Sequence, residues 1–264
     1  MAFDADRIAR LLEAEHRTRT PFRPLGPDAG IAGLEQAYDV QEALVALNAA
    51  SRGTSRAGYK IGLTTPRMQA FCGIDHPVAG TVLADRIVAS AALLNPARYG
   101  RLGIEFEICV RLARDVPPRA APCSLAEIAE AIDGVCPAVE IIDDRGADYG
   151  TLDAVSLVAD NAWNEGIVLG AFRHDFPDLG SVTGTATMNG VNIGTGTGAD
   201  VLGHPLAALA WLAQHLGTRG SRLEAGDLVM TGSIVTTRFP QHGELYRFEI
   251  PELGAVDVAI GRLA

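Results

Sequence analysis

Two carboxylates two residues apart, Glu105 and Glu107, and a third, Glu140, set in an apolar run, are the side chains of this sequence whose types and spacing could do chemistry. In Arg101 to Leu112 (RLGIEFEICVRL), Ile104, Phe106, Ile108, Val110 and Leu112 take every second position, with Glu105, Glu107 and Cys109 between them. Such alternation predicts a strand with one apolar, buried face. The other face then carries both carboxylates on one side, roughly 7 Å apart. Like charges that close repel, and their pKa values rise unless a cation or a shared proton relieves them. A solvated edge strand would tolerate the pair, so the spacing alone leaves both readings open. Pro137 to Asp144 (PAVEIIDD) shifts the balance, because an unpaired charge at Glu140 inside that run would be costly. Three carboxylates with no His or Cys motif beside them make an all-oxygen donor set, which suits Mg²⁺ or Mn²⁺ better than zinc.

Lys60 is a further candidate, in the strand-like segment Arg56 to Thr64 (RAGYKIGLT) between two glycines. A snorkelling lysine with its amine in water fits this pattern best. The functional alternative is a partly desolvated amine at a cleft wall, acting as acid, base or anion anchor. Gly194 to Gly198 (GTGTG) suggests a phosphate loop, but it lacks the G-x-G-x-x-G spacing and follows a hairpin rather than a βαβ strand. It reads as a flexible turn with close backbone packing.

Composition sets the outer bounds. A chain of 264 residues, 48% hydrophobic, can fill one large core with a small attachment. Its net charge of −10 argues against nucleic-acid and polybasic membrane surfaces. Cys72, Cys109, Cys123 and Cys136 have no metal-ligand spacing, and the two in apolar surroundings read as reduced core residues, which points to the cytoplasm. Asp4, Asp6 and Arg7 interrupt any signal-peptide pattern, and no apolar span is long enough for a bilayer.

The elements that must position the candidates follow in order. Asp4 caps a helix through Ile8, Leu11 and Leu12 that fades at Thr18 to Pro21. Pro21 to Gly30 is a connector, and a second helix covers Gly33 to Ala50. Residues 1–55 therefore read as a helical N-terminal cap on a body of residues 56–264. His76 to Gly80 is a turn leading into Thr81 to Leu83, and Pro117 to Pro122 is a loop. Ser124 and Glu127 form a capping box on a helix reaching Ile132, ended by Gly134 and Pro137 before the Glu140 strand. Gly166 to Phe172 is a strand, Val182 to Thr195 a hairpin around Asn189-Gly190, and Leu206 to Leu216 a helix. Asp227 to Ser233, Leu245 to Ile250 and Ala255 to Ile260 complete the strands. The class is α+β with a mixed sheet rather than a doubly wound parallel one.

Several motifs together resemble a known family. AYDVQ (Ala37 to Gln41), YKIGLT (Tyr59 to Thr64), GIEFE (Gly103 to Glu107), PAVEI (Pro137 to Ile141), VADN (Val158 to Asn161), LGHPL (Leu202 to Leu206) and GDLVMTGS (Gly226 to Ser233) run in order. The set is similar to the bacterial 2-keto-4-pentenoate hydratase family. That family includes 2-oxohept-4-ene-1,7-dioate hydratases and 4-oxalocrotonate decarboxylases, within the fumarylacetoacetase superfamily. The resemblance implies a rolled mixed β-sheet of the fumarylacetoacetase C-terminal type. It implies Mg²⁺ or Mn²⁺ on Glu105, Glu107 and Glu140, a catalytic Lys60, and substrate contacts from Lys60, Val78 and Ser233. It also implies a homo-oligomer acting on a small 2-oxo or 2-hydroxydienoic acid in aromatic-compound catabolism.

Two positions depart from the hydratase pattern. Val78 stands where hydratases of this kind carry an acidic residue suited to orienting water, and matches the decarboxylase form Pro-Val-x-Gly. Trp163 stands where many relatives have a small residue, which implies a narrowed pocket. The expected activity is a hydratase, with decarboxylase next and a carbon–carbon bond hydrolase third. The hydrolase would need a His–Glu pair, and no pair is evident by spacing. A non-catalytic metal-binding protein is the reading of a different class.

Overall fold

The computed structural model describes residues 2–26, 29–118 and 123–262. Helices α1 (Ala5–Thr18) and α2 (Leu34–Arg52) open the chain, followed by β1 (Arg56–Gly62), α3 (Pro66–Phe71), β2 (Val78–Leu83), β3 (Ile87–Ala89) and β4 (Ala92–Leu94). Then come β5 (Leu102–Leu112), α4 (Leu125–Ala129), β6 (Ile132–Asp143), α5 (Ala154–Ala159) and β7 (Asn164–Leu169). The remainder is β8 (Thr183–Met188), β9 (Val191–Thr197), α6 (Pro205–Thr218), β10 (Leu228–Arg238), β11 (Leu245–Ile250) and β12 (Gly254–Ile260).

The strands form two mixed sheets, as the α+β reading requires. One has seven strands in the order β2-β1-β10-β5-β6-β7-β3, and the other five in the order β4-β12-β11-β8-β9. Pairs β1/β10, β3/β7 and β4/β12 are parallel and the others antiparallel. The larger sheet is rolled: β2 and β7, with four strands between them in its order, lie against each other without pairing. Inside the roll sit small and medium apolar side chains, Val82, Cys109, Cys136, Ala138, Ile167 and Met230. Its outer face presents Ile104, Phe106 and Ile108 to the second sheet, where the Phe106 ring lies 5.6 Å from Phe248. Burying aromatic and β-branched faces between two sheets is the main cohesive contribution.

The N-terminal helices are tied to this body by hydrogen bonds as well as packing. Asp4 caps α1 by accepting from the Arg7 amide at 2.9 Å, which leaves Ile8, Ala9 and Leu12 facing inward. From α2, the Gln41 amide donates to the carbonyls of Ala79 and Val158 at 2.9 and 2.8 Å. The Tyr38 hydroxyl accepts from the Ala79 amide at 3.0 Å.

Local signals and structure part at identifiable places. The helix capped by Ser124 stops at Ala129, and β6 begins at Ile132 and runs through Gly134 and Pro137. Those residues read locally as breakers, yet continuous pairing with β5 carries the strand past them. Val78 opens β2, opposite Gly62, instead of lying in a turn. Gly194 and Gly196 belong to β9: an added Cβ would stand 2.4 Å from Val235 and 2.3 Å from the Ile234 carbonyl. Close packing against β10, not a flexible turn, is what these glycines serve. The Asn189-Gly190 hairpin is present, with φ of 51° and 80°. Of the expected Pro117 to Pro122 loop, residues 119–122 lie outside the described residues.

Candidate metal centre and its lysine

Pairing of β5 with β6 sets Glu105 opposite Glu140 and Glu107 opposite Ala138, with all three carboxylates inside the roll. One oxygen from each lies within 4.8 Å of the other two. The face bearing them is as buried as the apolar one: Glu107, Cys109 and Glu140 are all fully buried. From β1, Lys60 lies opposite Gly80 of β2 and brings its Nζ to 3.2 Å from Glu140 Oε1. Lys60 is 4% exposed, so its amine does not reach water and the snorkelling reading fails.

Each carboxylate is held by one neutral donor. The Gly232 amide donates to Glu107 Oε2 at 2.8 Å, the Thr237 hydroxyl to Glu105 Oε1 at 2.5 Å, and the Asn164 amide to Glu140 Oε1 at 2.8 Å. Gly232 has φ of 118°, and a Cβ there would meet the Thr64 side chain at 2.5 Å, so the irregularity in β10 that aims its N–H excludes other residues. Glu107 Oε1 and Glu140 Oε2 are left buried with no hydrogen-bond partner. A buried, unpaired carboxylate oxygen is expensive, and two in one acidic cluster call for a cation or a proton.

Electrostatics agree with that need. Burial, reinforced by Glu140 and Glu105, pushes the Glu107 carboxyl well above its ordinary value, against Lys60 and the Gly232 amide. Burial likewise raises Glu140 to about 7, with Lys60 opposing and Glu105 reinforcing. Burial pulls the Lys60 ammonium down, but Glu140, Glu105 and Glu107 together outweigh it and hold its pKa above the usual value. Three acids face one ammonium, so a divalent ion would neutralise the set. All-oxygen donors, two of them orphaned, fit Mg²⁺ or Mn²⁺ held by Glu105, Glu107 and Glu140.

Val78 is fully buried at the edge of this centre. A Cβ on Gly62 would meet Lys60 Nζ at 3.3 Å and Val78 Cγ2 at 3.5 Å, so the valine and the amine border the same space. Ser233 pairs through its backbone with Glu107, but its hydroxyl donates to the Val235 carbonyl at 2.6 Å. Trp163 is buried edge-on to Phe22 and Tyr149, with centroids 5.2 and 5.8 Å away and its indole N–H unpartnered.

Asn164, Thr237 and Gly232 escaped the sequence reading because they act through neighbours distant in the chain. So did the turn Asn161–Trp163, three successive left-handed residues with φ of 52°, 46° and 60°. Asn161 clamps Thr81 in both directions, accepting from its amide at 2.7 Å and donating to its carbonyl at 2.9 Å. A Cβ at Gly80 would stand 2.7 Å from the Asn161 carbonyl and 3.2 Å from Lys60 Cγ, so only glycine lets this turn close over the lysine stem. One signal for Lys60 was present: of 22 Lys and Arg residues it is the single lysine. An amine can give up its proton where a guanidinium cannot.

A His–acid cluster also appears that spacing could not reveal. His16 Nε2 lies 2.5 Å from Asp160, its Nδ1 lies 3.5 Å from Glu165, and Arg145 lies 3.0 Å from Asp160. Burial would lower the His16 pKa, but Asp160 and Glu165 outweigh it and raise it to about 9.

Comparison with known proteins gives a consistent picture. The family model described as fumarylacetoacetate (FAA) hydrolase C-terminal matches residues 75–260. A 2-oxo-hept-4-ene-1,7-dioate hydratase of Escherichia coli is 32% identical over 256 residues, covering 94% of this chain and 95% of that protein. A 4-oxalocrotonate decarboxylase of a Pseudomonas species is 30% identical over 251 residues, covering 95% of each. Among solved structures, 4-oxalocrotonate decarboxylase from Pseudomonas putida G7, complexed with magnesium and adipate, superposes with a TM-score of 0.90 at 29% identity and covers 97% of both chains.

Proposed function

Because the chain belongs to the fumarylacetoacetate hydrolase family, we propose that it is a divalent-metal-dependent lyase that adds water to a 2-hydroxy-2,4-dienoate or 2-oxo-4-enoate from aromatic-compound breakdown. The observation that carries this reading is the convergence of Glu105, Glu107 and Glu140, two of their oxygens orphaned, beside the only lysine. The nature of the relatives supports it, since they are named as hydratases and decarboxylases.

Glu105, Glu107 and Glu140 would hold Mg²⁺ or Mn²⁺ in this reading. When bound, the cation supplies positive charge to the carboxylate and 2-oxo oxygens of the substrate, and so stabilises an enolate. The chain's own residues do the rest. The Gly232, Thr237 and Asn164 donors fix the glutamates in place before substrate arrives. Lys60, buried against Glu140, moves a proton to and from the substrate's enol oxygen or carbon terminus. The carboxylates now raising its pKa would be neutralised in the loaded protein, which leaves burial as the dominant influence and frees the amine to act as a base. Residues 56–264 form the catalytic body and residues 1–55 its cap. Ser233, paired through its backbone with Glu107, donates its hydroxyl to the Val235 carbonyl and keeps the oxygen as an acceptor for substrate.

Decarboxylation is the second reading, and Val78 is the observation that favours it. A buried valine beside the amine offers no acceptor to orient water, and an apolar wall there favours loss of CO₂ from a dicarboxylate. Carbon–carbon hydrolysis is less well supported, although a His–acid pair exists. Both ring nitrogens of His16 face acids, and with a pKa of about 9 it is protonated at neutral pH and cannot act as the base. A cytoplasmic homo-oligomer fits the four free, buried thiols and the exposed Val191 and Leu245 near the β9 edge. The deciding experiment follows ultraviolet absorbance of 2-hydroxypenta-2,4-dienoate and of 2-oxohex-3-enedioate with Mg²⁺, with CO₂ trapped in parallel. Mg²⁺-dependent hydration of the first supports the hydratase, CO₂ from the second the decarboxylase, and no turnover of either removes both.

A further inference from the structure

A second charged feature lies outside the metal centre. Between the C-terminal ends of α1 and α2 and the segment carrying β3 is a cleft of ≈ 290 Å³, lined by Arg17, Arg19, Arg52, Arg86, Arg98 and His16. None of Lys60, Glu105, Glu107 and Glu140 lines it. Five of the 21 arginines of a chain with net charge −10 are thus gathered in one cavity. The acids there, Glu13, Asp143 and Glu165, do not balance them, and Asp143 is committed to the amides of Gly100 and Arg101 at 2.8 Å each.

Ion pairing among the cations of this cleft is incomplete: Arg17 lies 3.9 Å from Glu13, and Arg19 donates to the Arg98 carbonyl at 3.3 Å. Arg52 and Arg98 make no ion pair among the described residues. Arg86 stands 3.5 Å from Glu165 and 3.8 Å from Asp85, and its buried Nε has no hydrogen-bond partner. Burial and the neighbouring Arg86 disfavour the charge of Arg52, and together they outweigh the opposing Glu165, Asp85 and Glu13. Guanidiniums present planar, forked donors matched to phosphate and carboxylate oxygens. At ~30 Å³ per water the cleft has room for roughly ten waters, enough for a small dianion.

We propose that this cleft is a binding site for a small dianion, a phosphoryl or dicarboxylate group clamped by Arg52 and Arg86 and surrounded by Arg17, Arg19 and Arg98. It is separate from the metal centre but close behind it. A neighbouring cavity of ≈ 20 Å³ shares Arg52 and Arg86 with the cleft and is also lined by Asn164, which holds Glu140.

The test is calorimetric titration of inorganic phosphate, and separately of succinate, into the Mg²⁺-loaded protein, with ionic strength held constant by sodium chloride. At least one probe is expected to bind saturably at one site. Its affinity should fall by ~10-fold or more in Arg52→Glu and in Arg86→Gln, the scale of losing one charge-assisted hydrogen bond. The probe that binds more tightly names the phosphoryl or carboxylate source. Glu107→Gln, which disables the metal centre, and Arg222→Ala, on a surface elsewhere, should leave binding unchanged. Thermal melts that match the parent show that each variant is folded. The proposal is overturned if neither probe saturates, if binding survives both cleft substitutions, or if it disappears in Glu107→Gln.

Discussion

Stripping divalent cations from this protein should make its stability fall as pH rises across neutrality. Glu140 has its pKa raised from 4.5 to about 7, and Glu107 is raised well above its ordinary value, both chiefly by burial. An acid whose folded-state pKa is raised favours folding in full below its unfolded value and loses that contribution as pH climbs through the folded one. For Glu140 that window runs from 4.5 to about 7. At ~1.4 kcal/mol per pH unit the loss is on the order of 3 kcal/mol, with Glu107 acting in the same direction. For a chain of this size, that corresponds to roughly 6 to 12 °C in Tm. His16, raised to about 9, also loses stabilising charge as pH rises, from its ordinary 6.5 upward, but does so whether or not metal is present. The difference between melts in Mg²⁺ and in EDTA therefore isolates the carboxylates. Circular dichroism melts at about pH 5, 6, 7 and 8 should show that difference widening with pH, since ionised carboxylates bind the cation and are destabilising without it. A gap that stays constant, or narrows toward alkaline pH, would refute the view that these acids are a buried, charge-frustrated cation site.

Three substitutions bear on the same centre. Glu107→Gln should abolish metal-dependent turnover while leaving circular dichroism unchanged, and should raise the Tm of the metal-free protein at alkaline pH by removing one buried charge. Lys60→Met should lower kcat by ~10²-fold or more and flatten the pH–rate profile; an unchanged rate would remove the proton-transfer role. Val78→Asp should raise hydration relative to decarboxylation, read as the ratio of the two products from one enzyme batch; an unchanged ratio would make Val78 a packing residue only.

The site was legible in the sequence to the extent that it is written along single strands. Alternation around Glu105 and Glu107 fixed their common face, and the apolar run around Glu140 marked it as a charge needing a partner. Their convergence with Glu140 was an expectation that the family resemblance carried and alternation alone could not, because it depends on the β5/β6 register that sets Glu105 opposite Glu140. Lys60 illustrates a different limit. Its local pattern pointed to snorkelling, and only the closing of Gly80 and the Asn161–Trp163 turn over its stem takes the amine out of water. Strand β6 crossing Gly134 and Pro137, and β9 absorbing Gly194 and Gly196, are cases where pairing with a distant strand outweighs local punctuation. His16, Asp160 and Glu165 meet from positions far apart in the chain, which no motif spacing could report.

The central claim, that Glu105, Glu107 and Glu140 jointly hold one divalent ion, is tested most directly by crystals grown with Mn²⁺ and measured for anomalous scattering. One peak is expected per chain, bonded to an oxygen of each of the three glutamates at ~2.1–2.2 Å. A peak on other residues, or none at saturating Mn²⁺, would contradict the account.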